Sequence, residues 1–146
     1  MATNPTFNSC LAKQKQMVEA FASCPTPDQK YAKIIAMGRT LSPYPKVFMT
    51  DDSSVKGCQS TMYLHAECKA GKMQFIAHSE ALISAGLAAL LLSVYHDEPP
   101  EAVLVCPPHF LNEIGIFASL TPGRSNGLAS LFQRMKQEAL KHLITS

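Results

Sequence analysis

The chain contains no tryptophan, and only 16% of its 146 residues are charged, thirteen Lys plus Arg against eleven Asp plus Glu. A formal net charge of +2 sets up no field strong enough to draw in nucleic acid or anionic lipid without specific contacts. Neither nucleic acid nor membrane is therefore expected as a partner. The longest uncharged stretch, Ala81 to Tyr95, is shorter than the ~20 residues a membrane-spanning helix needs, and Ser84, Gly86 and Ser93 interrupt it. G-x-G-x-x-G and G-x-x-x-x-G-K-[ST] are absent, so dinucleotide or nucleoside triphosphate binding has no textual support. G-x-S-x-G is absent as well, which removes the nucleophile elbow of a serine hydrolase. The five cysteines are an odd number with no C-x-x-C among them, against both a disulfide framework and a zinc ribbon. The opening MATNPTFNSC has neither a basic leader nor an apolar core of an export signal, so the expected location is the cytoplasm or an equivalent reducing compartment.

What is present is apolar: 47% of the residues are hydrophobic, enough for one globular core, and a single domain over residues 1–146 is expected. Phe7, Leu11, Gln14, Val18 and Phe21 fall on one helical stripe broken only by Gln14, predicting a helix from about Asn8 to Ala22. Thr26-Pro27-Asp28-Gln29 combines a capping hydroxyl, a proline suited to the first helical position and a glutamine that can reach back to the cap. The helix it starts is closed past about Leu41 by Pro43 and Pro45. Residues 42–56 read as a surface connector, with a short edge strand around Lys46 to Met49. STMYLHAE and MQFIA, joined by Lys69-Ala70-Gly71-Lys72, predict a β-hairpin. Ser79 is expected to cap a third helix carrying Glu80 in its first turn, apolar nearly all round and therefore central. Short helical segments to Val105 and Gly115 follow. Ser125 or Asn126 is expected to cap an amphipathic C-terminal helix. Helices and a small antiparallel sheet in separate blocks predict an α+β fold.

Among the cysteines, Cys58 is the best placed for chemistry. It lies in Lys56-Gly57-Cys58-Gln59-Ser60, a loop between the connector and the first strand. Gly57 permits positive φ and close approach, and Lys56 is positioned in sequence to favour the thiolate. Two readings stay open on local sequence: an accessible nucleophile, or a thiol filling a pocket beneath a glycine turn. Cys10, Cys24 and Cys68 have no base or glycine-shaped approach nearby and read as core or surface fillers. His65 and Cys68, three apart on a strand, face opposite ways and cannot share a metal without distortion. Cys106-Pro107-Pro108-His109 would need two further ligands from distant segments. Arg124 stands just before the last helix, where the helix dipole disfavours a cation, so either solvent or a fixed partner must hold it.

GCQS after a polar connector, SEALISAGLAALLL on the central helix and LTPGRSNGL before the last helix, in this order, resemble the SufE family. The resemblance, which extends to CsdE-type proteins, covers most of the chain and lies in the combination. It implies a sulfur acceptor for a pyridoxal-phosphate-dependent cysteine desulfurase of the SufS or CsdA kind, with an α+β fold similar to IscU-type scaffolds. The acceptor cysteine falls on Cys58 and the family's loop arginine on Arg124, with Gly123 replacing the usual serine. Ser79-Glu80 matches the family's Ser-Asp or Ser-Glu, while Ala77-His78 and Ala85 depart from its pattern. Lys56, Gly57, Gln59, Ser60, Glu80 and Arg124 are thereby candidates for loop positioning or partner contact. The implied role is to accept persulfide sulfur, stimulate the desulfurase and pass sulfur to an iron-sulfur assembly complex, as an accessory protein with no cofactor of its own. A zinc- or iron-sulfur-binding scaffold using Cys58, Cys106 and one or two histidines is the alternative, and a homodimer is left open.

Overall fold

The computed structural model describes residues 6–58 and 60–145. Six α-helices pack around a two-stranded antiparallel sheet among these residues, matching the expected α+β class. The order is α1 (Thr6–Phe21), α2 (Pro27–Gly38), β1 (Met62–Lys69), β2 (Lys72–Ser79), α3 (Leu82–Tyr95), α4 (Pro100–Val105), α5 (His109–Ile114) and α6 (Pro122–Thr145), with 3₁₀ turns at Lys46–Phe48, Asp51–Ser53 and Ile116–Ser119.

α3 is the centre of the fold. From Gly86 to Leu92 every residue is buried, with Val94 and Tyr95 behind them, so the nearly uniform apolar surface read in the sequence is covered by neighbouring elements. α2 crosses it at a point where both backbones lack a side chain. A Cβ built on Gly86 would lie 2.1 Å from the Ile34 carbonyl oxygen, and one on Gly38 would lie 2.7 Å from the Gly86 nitrogen. Only glycine at both positions lets the helices approach this closely. α2 begins as its sequence predicts: Thr26 accepts from the Gln29 N–H at 3.2 Å, and Gln29 accepts from the Thr26 N–H at 3.2 Å.

The polar interruption of α1 has a structural use. Gln14 is buried, donates to the Pro107 carbonyl at 2.9 Å and to the Cys106 sulfur at 3.4 Å, and accepts from the Phe110 N–H at 3.2 Å. The two prolines after Cys106 leave this segment short of regular pairing, and one amide side chain supplies it.

The hairpin pairs Met62 with Ser79 through to Lys69 with Lys72. Its two turn residues, Ala70 and Gly71, have φ of 53° and 79°, the geometry that matches the twist of the flanking strands. One face of the sheet, including Met62, Leu64, Met73, Phe75 and Ala77, points into the core. The other face is covered by aromatic side chains of the connector: Phe48 stacks on His65 with ring centroids 3.7 Å apart, and Tyr44 lies 6.1 Å from both Tyr63 and His78.

That covering corrects the expected edge strand at Lys46 to Met49. The segment is a 3₁₀ turn, with Phe48 N–H and Met49 N–H donating to Pro45 and Lys46 carbonyls at 3.0 Å each. Turning there brings Phe48 down onto the sheet, whereas an extended strand would spread the aromatic side chains along an edge. The expected capping of α3 by Ser79 is also corrected. β2 continues through Ser79, whose hydroxyl accepts from the Ala81 N–H at 3.3 Å, so α3 starts two residues later than a Ser79 cap requires and Glu80 sits in the preceding bend. α6, in turn, starts at Pro122, before the expected Ser125 or Asn126 cap. Thr121 accepts from the Arg124 N–H at 3.4 Å through its hydroxyl, and Ser125 N–H donates to the Thr121 carbonyl at 3.0 Å. Arg124 consequently lies inside the first turn of the helix. No helix among the described residues is long and apolar enough to cross a membrane.

Candidate functional site

Cys58 sits in a loop whose two ends are fixed to each other. Val55 N–H donates to the Met62 carbonyl at 2.8 Å and Ser54 forms an isolated bridge with Tyr63, so the segment between them is tied together at its two ends beside the start of β1. Gly57 gives this loop its direction. Its φ of +87° belongs to glycine, and a Cβ there would stand 2.5 Å from Ser130 Oγ on α6. Gly57 adopts the positive φ that its residue type permits, a geometry common to both readings left open by the sequence.

The loop folds the thiol inward. Cys58 Sγ–H donates weakly to the Gly127 carbonyl at 3.7 Å, and a Cβ on Gly127 would lie 3.7 Å from that sulfur. Around it is a tight pocket, with only about 10 Å³ of free space, lined by Met62 of β1, Ser84 and Leu87 of α3, and Arg124, Gly127 and Leu131 of α6. Its walls are largely apolar, and burial pushes the Cys58 thiol above its ordinary pKa. At neutral pH the resting group is a protonated thiol.

Lys56, expected to promote the thiolate, is turned elsewhere. Its ammonium pairs with Asp51 Oδ1 at 3.0 Å in a highly exposed ion pair on the connector. The physical reason is a nearer carboxylate: the 3₁₀ turn at Asp51–Ser53 brings Asp51 within reach five residues before the lysine. Arg124, by contrast, is brought to the thiol's pocket, half-buried at the start of α6. Ser60 is half-buried beside β1, Glu80 is exposed in the bend before α3, and Gln59 lies outside the described residues.

Cys58 and Cys106 do not come together. Cys106 is buried against Gln14, which also contacts Cys10 at 3.8 Å, and no three His, Cys, Asp or Glu among the described residues converge on a metal-sized site. The alternative of a scaffold built on Cys58 with Cys106 has no such ligand set in the described residues.

Sequence reasoning misses several residues of the site. Ser84, Leu87, Gly127 and Leu131 are not among the candidate site residues read from the sequence, yet they line the pocket. Arg134 has no part in that reading, although its guanidinium donates to the Ser54 carbonyl at 3.2 Å, to the Asp52 carbonyl, and to Glu138 Oε2 at 3.1 Å. The available signal is the spacing Gly127, Ser130, Arg134, three and four residues apart, which places all three on one face of α6.

Residues 15–139 match the domain described as SufE, an Fe-S metabolism associated domain. The chain is 31% identical over 137 residues to an uncharacterized SufE-like protein of Synechocystis, covering 94% of this chain and 84% of that one. It is 33% identical over 131 residues to the cysteine desulfuration protein SufE of Wigglesworthia glossinidia brevipalpis, covering 87% and 90% respectively. Against SufE-like protein 1 of Arabidopsis thaliana, a chloroplastic/mitochondrial protein, identity is 31% over 129 residues, and the match spans only 35% of that longer protein. The solution structure of a hypothetical protein from Thermus thermophilus superposes with a TM-score of 0.77 at 30% identity, covering 92% of this chain and 97% of that one. On this breadth of agreement the chain belongs to the SufE family.

Proposed function

We propose that this protein accepts sulfur from a cysteine desulfurase onto Cys58. The observation that supports this most directly is the placement of a thiol at the centre of a closed, glycine-turned loop, tucked beside Arg124 in a small pocket of a SufE-family chain. The naming of its Wigglesworthia relative as a cysteine desulfuration protein points to the same partner.

The step is thiol exchange. Cys58 loses its proton and its thiolate attacks the outer sulfur of a persulfide on the desulfurase; a new S–S bond forms on Cys58, the S–S bond on the donor breaks, and the donor cysteine leaves as thiolate. No electrons are gained or lost overall. The pyridoxal phosphate that extracts sulfur from free cysteine belongs to the desulfurase, and this chain acts as an accessory protein that relieves it of persulfide and thereby stimulates turnover. Release of the sulfur to an iron-sulfur assembly scaffold completes the proposed route, in a reducing compartment such as the cytosol where an acceptor thiol persists.

Burial that raises the thiol's pKa protects it at rest and must be lifted for attack. The loop therefore swings outward on docking, exposing the thiol to water and to the partner's groups. The test is mass spectrometry after incubation with a cysteine desulfurase and free cysteine. The expected result is one added sulfur atom, mapped to the Cys58 peptide and lost in Cys58→Ser. Sulfur uptake that survives Cys58→Ser refutes the assignment.

A further inference from the structure

We propose that Arg134 is a positioning residue for Cys58, a clamp on the N-terminal stalk of the loop that keeps the thiol tucked against α6. This rests on the reading of Cys58 as the sulfur acceptor.

The loop of residues 56–61 has two stalks. The C-terminal one is β1 itself, held by the ladder to β2. The N-terminal one, residues 51–55, is a 3₁₀ turn followed by an extended pair of residues, and its own backbone bonds are few: Ser53 N–H to the Thr50 carbonyl at 3.1 Å, Ser54 N–H to the Asp51 carbonyl at 3.1 Å and Val55 N–H to the Met62 carbonyl at 2.8 Å, within the isolated bridge of Ser54 with Tyr63. Arg134 adds a connection from outside. Its two terminal nitrogens take the carbonyls of Asp52 and Ser54, a pair of acceptors that a planar fork matches and a single ammonium does not.

The fork is itself held in place. Arg134 Nε donates to Glu138 Oε2 at 3.1 Å one helical turn on, and Lys141 Nζ reaches the same oxygen at 3.1 Å. Burial raises the Glu138 pKa, but the hydrogen bonds from Lys141 and Arg134 outweigh it and leave the carboxyl below its ordinary value. The Arg134 and Glu138 side chains are only 21% and 15% exposed, so this is a sheltered arrangement and not a solvent-screened pair.

One turn earlier on the same face, Ser130 abuts Gly57, and one turn before that the Gly127 carbonyl receives the Cys58 thiol. α6 thus touches the loop at its stalk, its turn and its sulfur in sequence. Loosening the stalk loosens the other two, because beyond the Val55–Met62 tie at the base Gly57 and Cys58 have only a steric stop and a weak S–H bond to hold them. A docking partner that competes for Arg134 would have the same effect.

The test is the rate of iodoacetamide alkylation at individual cysteines of the full-length protein, resolved by peptide mass spectrometry, with Cys10 and Cys106 as buried reporters of global opening. In Arg134→Met, which keeps the packing of the stem, Cys58 is expected to react about tenfold faster, the scale set by one charge-assisted hydrogen bond, while Cys10 and Cys106 stay slow. Arg134→Lys, able to reach one carbonyl at a time, is expected to fall between the two and serves alone should the methionine variant not fold. An unchanged Cys58 rate overturns the proposal, and so does a parallel rise at all three cysteines, which marks general destabilisation. Sulfur uptake by Cys58→Ser would remove the acceptor role and leave the clamp standing; an unchanged alkylation rate removes the clamp and leaves the acceptor role standing.

Discussion

Replacing Gly57 by alanine tests the geometry of the thiol loop with a magnitude that can be worked from its surroundings. Two separate costs arise. The first is backbone conformation: at φ +87° an L side chain crowds the following carbonyl, a penalty of ~1–2 kcal/mol. The second is steric, because the new Cβ would stand 2.5 Å from Ser130 Oγ and 3.4 Å from Ser130 Cβ. Since the nearer atom is a rotatable hydroxyl, the overpacking cost belongs at the low end of its range, ~1 kcal/mol. Gly57→Ala should therefore destabilise by ~2–3 kcal/mol in urea unfolding at constant m. Ser130→Ala removes the near atom and leaves only the tolerable 3.4 Å approach. In that background the same glycine change should cost only ~1–2 kcal/mol, giving a coupling energy of ~1 kcal/mol in a double-mutant cycle. Zero coupling would mean that Ser130 does not face the loop. A neutral Gly57→Ala in both backgrounds would mean that the turn is not left-handed, and either result refutes the geometry from which the thiol's position follows.

Other perturbations probe the core and the titrating groups. Burial raises the Cys10 thiol from 9.0 to about 12, so the unfolded chain releases this proton first; stability should be full below pH 9 and decline as pH climbs toward 12, and Cys10→Ala should flatten that decline in alkaline unfolding curves. Gln14→Leu leaves the Phe110 N–H and the Pro107 carbonyl unpaired and should lower stability by ~2–5 kcal/mol in chemical denaturation, with a neutral result excluding Gln14 as the support of that segment. Gly86→Ala drives a methyl to within 2.1 Å of the Ile34 carbonyl, and the overpacking of ~1–3 kcal/mol or more should exceed the ~1 kcal/mol gained in helix propensity, read as a lowered melting temperature. The Cys58 alkylation rate should still be rising with pH where a cysteine in an unstructured peptide has levelled off, because burial delays ionisation; coincident profiles would contradict the tucked thiol.

The parts of the fold legible in the sequence are those whose signals lie within a few consecutive residues. Thr26-Pro27-Asp28-Gln29 carries cap, φ constraint and reciprocal glutamine together, and α2 starts there. The hairpin and the buried α3 are written in alternation and in uniform apolarity. The start of α6 is equally written, in Thr121-Pro122, but the polar residues after it offer competing caps and the proline at the first helical position decides the outcome. Lys46 to Met49 is not legible, because what fixes it is the outer face of a sheet some twenty residues further on. At the candidate site, local sequence singles out Cys58 and its glycine but leaves open whether the thiol is exposed or tucked in, whereas the direction of Lys56 depends on Asp51 and the contacts of Arg134 depend on where the connector crosses α6. Contacts between distant segments have no local signature.

The bond between Val55 and Met62 limits how far any cargo carried by Cys58 can travel. A strand of backbone spans at most ~3.3–3.6 Å per residue, so a loop pinned at both ends by that bond can move its middle outward by only on the order of 10 Å. Under the proposed acceptor role the arm is short: a donor would have to bring its sulfur nearly to this surface, and a recipient would have to do the same. Handover then depends on how deeply the two visiting sites can be penetrated, which makes their depth, more than the flexibility of this chain, the feature that selects who can trade with it.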